Sequence, residues 1–370
     1  MKKTQIATWI ALLMILITVT GCSTKDDTNQ PTVKEPEGTI KVIDDKDQDT
    51  EEPEVKVIKI DRYEAMVISD WLDENTVLVS KENELLDKMK LAELEDSYPR
   101  SLYLLNLTSK EFDLLKAQEQ LNLEGAVFSP DKKNLLYSGN TLGDPGYYVM
   151  NVSTQDSYVI KDGETGVVGS ANWADADTII GAGYFGGGYT ADTKGKATRL
   201  EGLEEKSVFI IRKMKDIIYY NTGDDISLKA YHLSTKKSED LDLTSVVGVY
   251  PSQNGDQMLV LQNNGTKMTL LLCNADGSIV KTIAEGSELG GISWSQDQKM
   301  AAFSMNSEGA TPAGALYLYD MVTGNQTQLA VDVKNAMTQF SPSGKELAYA
   351  EWDGKQYNSS IIYLDYSEIK

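Results

Sequence analysis

From about residue 55 to its end, the chain repeats itself at intervals of 40 to 46 residues. Seven strand-like runs, such as Leu102 to Asn106 and Leu316 to Asp320, each close on a polar residue. Those closing residues are separated by 45, 41, 40, 42, 46 and 45 positions: Asn106, Asn151, Asp192, His232, Asn274, Asp320 and Asp365. A period of about 40 to 50 residues built from short strands is typical of a β-propeller, in which each repeat forms one blade.

The closing polar residues form one column of the repeat, and an aromatic residue forms a second column ahead of it. It ends a short strand in six of the seven units, and a polar turn then leads into the next strand: Trp71, Phe128, Trp173, Tyr250, Trp294 and Phe340. Because the aromatic recurs in nearly every unit, it indicates a structural role near the blade core rather than a platform for sugars. The two columns together predict an all-β fold with four strands in each unit.

The units resemble those of the TolB-like, or WD40-like PD40, β-propeller family. Its consensus is an aromatic followed by Ser-Pro-Asp-Gly-Lys, an apolar strand and Ile-Tyr-Val-Met-Asp, and four stretches are similar to it: Phe128 to Tyr137, Tyr147 to Asn151, Leu316 to Asp320 and Phe340 to Tyr349. The resemblance covers nearly all of residues 61 to 370. It implies the fold and, as for most members, a protein-interaction or scaffold role at the bacterial envelope. Blade number is where this chain departs from the namesake propeller.

The two ends of the repeat region complement each other. The last unit stops five residues after Asp365, which leaves no room for its fourth strand. Val55 to Ile60 is a strand-like run that precedes the first unit and has no partner there. We therefore expect it to complete the last blade, to bury several of its Val and Ile side chains, and to close a ring of seven four-stranded blades without an open edge. Six or eight blades are the alternatives.

The N-terminus has the pattern of a lipoprotein leader. Lys2 and Lys3 precede an apolar run of 14 residues, Ile6 to Val19, which is shorter than the about 20 residues that span a membrane. The run leads into Val-Thr-Gly-Cys, which resembles a bacterial lipobox ending at Cys22. We predict that residues 1–21 are a signal peptide and that Cys22 carries diacylglycerol. An ordinary signal peptide followed by a chance cysteine is the alternative.

Residues 22–54 are predicted to be the lipidated cysteine and an acidic, disordered stalk, and residues 55–370 the propeller domain. Residues 23–54 carry eleven acids and four lysines with almost no large apolar residues, so they cannot bury enough surface to order themselves. The lipid would anchor the protein to the extracytoplasmic face of the cell membrane, or to the outer membrane in a Gram-negative host.

The stretch GAGYFGGGYT, residues 181 to 190, contains the G-x-G-x-x-G spacing of a dinucleotide-binding loop. That fingerprint requires a strand before it and a helix after it. Aligned to the repeats, it spans the second and third strands of unit three, and the turn after Asp192 leaves no helix to bind a pyrophosphate. The match is interpreted as accidental, and no cofactor is expected.

Charge and composition exclude several other functions. The formal net charge of −21 disfavours nucleic acid as a partner. His232 is the only histidine and Cys273 the only cysteine besides Cys22, so His and Cys cannot form a zinc site. No G-x-S-x-G motif accompanies the repeats, which excludes the hydrolase domain found beside some propellers. We expect a monomer and no metal.

The features that the repeat does not explain are loops between second and third strands, which share one face of a propeller, called the top. Unit one has an insertion there, Lys81 to Arg100, with apolar residues at near-helical spacing. Loops on a rigid scaffold often carry function. Ten loop residues are therefore candidates for binding: Tyr98, Arg100, Asp144, Tyr184, Phe185, Asp224, Glu308, Trp352, Asp353 and Tyr357.

Two functions remain open. The first is a lipid-anchored module that binds an envelope protein or polymer through the top face, without catalytic residues. The alternative is a propeller enzyme of the glycan hydrolase or lyase type, which would use loop carboxylates such as Asp144, Asp224, Asp225, Glu308 and Asp353. Nothing in the sequence pairs those acids, so the binding module is preferred.

Overall fold

The computed structural model describes residues 34–35, 38–39, 55–161, 168–204, 206–306 and 314–366. The predicted signal peptide, Cys22 and most of the predicted stalk lie outside these residues. A two-stranded antiparallel ladder, Lys34–Glu35 with Gly38–Thr39, belongs to a unit separate from the one that spans Pro53–Lys370. No helix among the described residues is long and apolar enough to cross a membrane.

Seven four-stranded antiparallel sheets follow one another along the chain and form the blades of a β-propeller, which confirms the predicted fold and blade number. We number the blades 1 to 7 and give the four strands of each in order. Blade 1 consists of Met66–Asp73, Thr76–Glu82, Arg100–Asn106 and Phe112–Lys116; blade 2 of Asn122–Phe128, Asn134–Asn140, Gly146–Asn151 and Ser157–Val159; blade 3 of Asn172–Trp173, Thr178–Ala182, Gly188–Asp192 and Ala197–Arg199; and blade 4 of Val208–Met214, Ile217–Thr222, Lys229–His232 and Lys237–Asp240. Blade 5 consists of Val246–Pro251, Gln257–Asn263, Met268–Asn274 and Ile279–Gly286; blade 6 of Glu288–Trp294, Met300–Asn306, Ala315–Asp320 and Gln326–Val331; and blade 7 of Met337–Phe340, Glu346–Trp352, Tyr357–Tyr366 and Val55–Tyr63.

The fourth strand of blade 7 comes from the start of the domain, as predicted. This closing strand, Val55–Tyr63, pairs antiparallel with Tyr357–Tyr366, and Val55 lies opposite Tyr366. The expected burial is wrong for Val57, Ile58 and Ile60, which are 38%, 66% and 37% exposed. Val55 is partly buried and packs against the cluster between blades 6 and 7. The closing strand is the outermost strand of its sheet, so it stabilises the ring through backbone hydrogen bonds and by covering the edge of Tyr357–Tyr366.

The apolar core of the described domain is divided among seven clusters, and each lies between two neighbouring blades. The cluster between blades 7 and 1 joins Ile68, Trp71 and Val79 to Ala348 and Ile361. Each blade therefore buries one face against the blade before it and the other face against the blade after it. An open ring would leave two of these faces in water.

First strands of neighbouring blades pack against one another between blades 7 and 1, 1 and 2, 4 and 5, and 6 and 7. Three tryptophans of the predicted aromatic column donate their indole N–H to a backbone carbonyl in the first strand of the preceding blade, at 3.0 to 3.1 Å: Trp71 to Gln339, Trp173 to Val127 and Trp294 to Tyr250. The column is thus structural, and it links blades as well as filling them.

A buried carboxylate links three blades where blades 7, 1 and 2 meet. Asp70 is 5% exposed and accepts hydrogen bonds from the backbone N–H of Trp71 at 2.7 Å and of Phe128 at 2.8 Å. Gln339 Nε2 also donates to it at 3.4 Å, and Lys132 Nζ lies 3.6 Å away. Burial raises the pKa of the Asp70 carboxyl, while Lys132 and the two backbone donors oppose that rise.

Two local predictions have different outcomes. The insertion Lys81 to Arg100 is not helical beyond one three-residue 3-10 turn, Ala92–Leu94. Only part of its apolar pattern faces inward, since Met89 is 3% exposed and Leu85 is 92% exposed. The glycine-rich stretch is a hairpin loop between Thr178–Ala182 and Gly188–Asp192, as predicted.

Two glutamates meet where the turns of blades 7 and 1 lie side by side. Ser343 donates its backbone N–H to Glu74 Oε1 at 2.6 Å and its hydroxyl to Glu74 Oε2 at 2.8 Å. The Ser341 hydroxyl donates to Glu346 Oε2 at 2.6 Å. Burial raises the pKa of the Glu346 carboxyl and the neighbouring Glu74 raises it further, while Ser341 opposes the shift.

This pair should make the domain more stable in mild acid. The pKa of Glu346 is raised above its ordinary value of 4.5. The stabilisation from its bound proton is therefore complete below that value and is lost as the pH rises through the folded pKa. We expect Glu346→Gln, which stays neutral, to raise the Tm at pH 7.5. The gain in the free energy of unfolding should be below about 1 kcal/mol, because the pair is partly solvated. The gain should shrink towards pH 4.5.

Thermal unfolding followed by circular dichroism at both pH values measures this effect. Glu111→Gln is the matched control, since Glu111 is exposed and should change the Tm little at either pH. A Tm difference for Glu346→Gln that is the same at pH 7.5 and pH 4.5 would contradict the account.

Candidate functional site

The first strand of each blade begins, and its second strand ends, at the top face of the ring. There, between blades 7, 1 and 2, lies a cavity of about 530 Å³ that we call the channel-mouth pocket. Its lining consists of Val67, Ile68, Ser69, Ser80, Arg100, Glu124, Gly125, Val127, Ser138, Met337, Thr338, Gln339, Trp352 and Tyr357. Three of the ten predicted residues, Arg100, Trp352 and Tyr357, are therefore brought together from two different blades.

Arg100 supplies the positive charge of the pocket. Its side chain is half-buried, with Nε donating to the Ser80 hydroxyl at 3.2 Å and Nη2 to the Ser80 carbonyl at 2.5 Å. Within the described ranges no carboxylate forms an ion pair with this guanidinium. Burial lowers the pKa of Arg100, and the charges of Glu124 and Glu82 oppose that shift from beyond contact distance.

An aromatic pair forms the rim of the pocket. The rings of Trp352 and Tyr357 lie 5.1 Å apart at 62°, in an edge-to-face arrangement that such pairs favour. Trp352 is 54% exposed and Tyr357 40% exposed, so both rings keep a face in solvent. They stand at the end of the second strand and the start of the third strand of blade 7, where the ladder pairs them directly.

One lining residue has a buried hydroxyl without a partner. Ser69 Oγ is the one buried side-chain polar atom among the described residues that forms no hydrogen bond. Buried polar groups nearly always find a partner in protein or in water. Ser69 lines the channel-mouth pocket with its other atoms, but its hydroxyl oxygen is covered by protein and does not face the cavity.

Sequence reasoning missed several lining residues. Glu124 and Val127 lie in the first strand of blade 2, and Met337 begins the first strand of blade 7. The sequence pattern pointed to loop residues, whereas these residues line the pocket from strands. Their position in the repeat is the signal that could have found them, since residues just ahead of the aromatic column in blades 1, 2 and 7 line the pocket.

Most of the other predicted residues have local partners away from this pocket. The Tyr184 hydroxyl donates to Asp144 Oδ2 at 2.7 Å, and the Tyr184 ring meets that of Phe185 edge-on at 5.1 Å. Tyr98 donates its backbone N–H to Glu82 Oε2 at 3.4 Å. None of these residues lines the channel-mouth pocket.

The predicted loop acids that the structure describes each have local partners or face solvent. Asp353 accepts the backbone N–H groups of Lys355 and Gln356 at 2.8 and 2.9 Å, so it shapes its own turn. Asp225 pairs with Lys229 at 2.9 Å, and this contact lowers the pKa of Asp225 to about 2. Asp224 is exposed in the same turn. Glu308 lies outside the described residues.

A larger cavity of about 950 Å³ lies beside the closing strand, near Glu74 and Glu346. Two of its three cations have partners: Lys59 pairs with Asp61 at 3.0 Å, and Lys110 Nζ donates to the Tyr63 hydroxyl at 3.0 Å. The third, Arg62, is exposed on the closing strand. The channel-mouth pocket is smaller, but its unpaired cation is half-buried and its rim exposes two aromatic rings. It is therefore the better candidate for ligand binding.

The lone histidine and the lone described cysteine lie away from the pocket. His232 Nε2 is 2.9 Å from Glu239 Oε1 on the outer part of blade 4. Cys273 is buried, and burial raises the pKa of its thiol to about 12. Within the described residues no group of three or more His, Cys, Asp or Glu side chains is arranged to hold a metal ion.

Comparisons with known proteins support the fold. No protein-family model matches the chain, and no curated protein matches it. An oligogalacturonate lyase in complex with manganese is 11% identical with a TM-score of 0.59, covering 85% of this chain and 98% of its own. The oligogalacturonate lyase of Vibrio parahaemolyticus is 11% identical with a TM-score of 0.57, covering 84% and 98%.

A third solved structure, TolB from Acinetobacter baumannii, is 13% identical with a TM-score of 0.49, and the match covers 78% of this chain and 63% of that one. At these identities the similarities concern the fold and not the activity. The geometry and the comparisons together define the chain as a seven-bladed β-propeller whose fold is similar to that of oligogalacturonate lyases.

Proposed function

We propose that the protein is a lipid-anchored, extracytoplasmic binding module that engages an envelope protein or polymer through the channel-mouth pocket. The observation that carries this proposal is the convergence of an unpaired, half-buried guanidinium and two exposed aromatic rings on one pocket. Aromatic and Arg side chains contribute most to binding energy in protein interfaces.

The direction of the chain supports this role. The chain enters the ring at Val55, and the closing strand runs towards the top face, where it connects through residues 64–65 to Met66 in blade 1. A tether attached ahead of Val55 therefore enters at the end opposite the channel-mouth pocket.

An enzyme of the glycan lyase or hydrolase type is the second candidate. One observation favours it, which is that Glu124 and Arg100 line the same cavity, so that an acid and a cation could both reach one ligand. Two structures of similar fold carry the name oligogalacturonate lyase. Glycan cleavage by the soluble domain that is lost on Glu124→Gln would favour this candidate over the binding module.

The anchor is tested through Cys22. We expect Cys22→Ala to abolish incorporation of radiolabelled palmitate, because the thiol is the acceptor of the lipid, and to release the protein from the membrane fraction. Ser23→Ala, which alters the neighbouring residue, is the control and should leave labelling intact. Equal labelling of Cys22→Ala and the unaltered protein would contradict the lipobox assignment.

The binding surface is tested by pull-down from envelope extracts. We expect Trp352→Ala to reduce the captured partner about tenfold or more, since it removes an exposed aromatic ring from the pocket rim. Phe185→Ala is the matched control, because Phe185 is 77% exposed on the same face but outside the pocket. Equal capture by both variants, or capture of no partner by the unaltered protein, would count against the proposal.

A further inference from the structure

We propose that the channel-mouth pocket recognises the C-terminal carboxylate of a peptide segment, with an apolar residue next to it. This inference rests on the proposed function, since it names the class of partner for the same pocket. It follows from the charge, the hydrogen-bonding capacity and the apolar walls of the described lining residues.

The half-buried guanidinium of Arg100 has hydrogen-bond donors left over for an anion. A cation taken out of water costs free energy unless a counter-charge or several acceptors replace the lost hydration. Ser80 satisfies Nε and one N–H of Nη2, and an Arg side chain has five N–H donors in a planar fork. The remaining donors of Nη1 and Nη2 form the two-pronged end of the fork, which matches the two oxygens of a carboxylate.

The carboxylate of Glu124 repels a ligand anion that has no hydrogen-bond donor to offer it. Its carboxylate lines the same cavity, and among the described residues its one side-chain partner is Asn140 Nδ2, at 3.4 Å. A ligand carboxylate bound to Arg100 must therefore be accompanied by a donor that faces Glu124. The terminal residue of a peptide provides one, because its backbone N–H lies close to its own carboxylate.

The walls of the pocket favour an apolar side chain. Val67, Val127 and Met337 line it together with the Trp352 and Tyr357 rings, and Met337 is 48% exposed. The volume of about 530 Å³ lies in the range of about 300 to 1,000 Å³ that is usual for small-ligand sites. A short terminal segment with an apolar side chain fits such a space. The pocket thus offers a cation, an acceptor and an apolar wall, each of which matches one part of a peptide end.

The test compares free and blocked peptide ends. The full-length protein in detergent is incubated with a pool of hexapeptides randomised at the last three positions, synthesised once as free acids and once as C-terminal amides. Retained peptides are quantified by mass spectrometry. We expect retention of free-acid peptides with an apolar last residue to exceed that of the matching amides about tenfold or more, because charge-assisted hydrogen bonds are lost in the amide.

Variants locate the effect on Arg100. Arg100→Gln should abolish the preference for free acids, whereas Arg62→Gln, on the outer closing strand, should preserve it. Equal retention of acids and amides by the unaltered protein overturns the inference without any variant, and so does retention of neither pool. A preference that survives in a folded Arg100→Gln protein, or retention of an oligogalacturonate trimer in place of peptides, also overturns it.

The outcome is distinguishable from failure of the proposed function. Capture of an envelope partner that depends on Trp352, combined with equal retention of the two peptide pools, would leave the binding module intact and reject the peptide end as its ligand.

Discussion

The structure depends on burial between blades rather than within them. Each of the seven apolar clusters draws its residues from two neighbouring sheets, so no blade completes a core alone. A ring solves this problem only if its last sheet meets its first. The closing strand meets this requirement by joining the start of the domain to Tyr357–Tyr366 and sealing the edge of blade 7. The cluster between blades 7 and 1 then forms like the other six.

The channel-mouth pocket lies at the same junction. Blades 7, 1 and 2 contribute its lining, and the buried Asp70 links those three blades through hydrogen bonds to Trp71, Phe128 and Gln339. Gln339 takes part in both the pocket and the Asp70 network, since it lines the pocket and donates a hydrogen bond to Asp70. The residues that hold the ring together therefore also fix the geometry of the candidate site, which explains how a pocket built from three blades can be pre-formed.

The sequence predicted the parts of this structure that follow from periodicity. The polar residues that close each third strand and the aromatic column placed the strands, and the unpaired run at Val55 indicated the closing strand. The predictions that were wrong concerned the solvent exposure of side chains. Alternation of apolar residues did not reveal that Ile58 is exposed to solvent, and the spacing near Leu85 suggested a helix where the chain forms an irregular loop. Glu124 and Ser69 escaped notice because three-dimensional convergence, not local sequence, brings them to the pocket.

The most direct test of ring closure is a disulfide across the closing strand. Lys56 lies opposite Asp365 in the ladder, and both side chains are exposed. Oxidised Lys56→Cys/Asp365→Cys should form an intramolecular cross-link and raise the Tm. Bridging such a long loop lowers the entropy of the unfolded chain and so raises its free energy by roughly 5 kcal/mol. The mismatched pair Lys56→Cys/Tyr363→Cys should not. Failure of the matched pair to cross-link, or cross-links only between molecules, would show that the ring closes in another way.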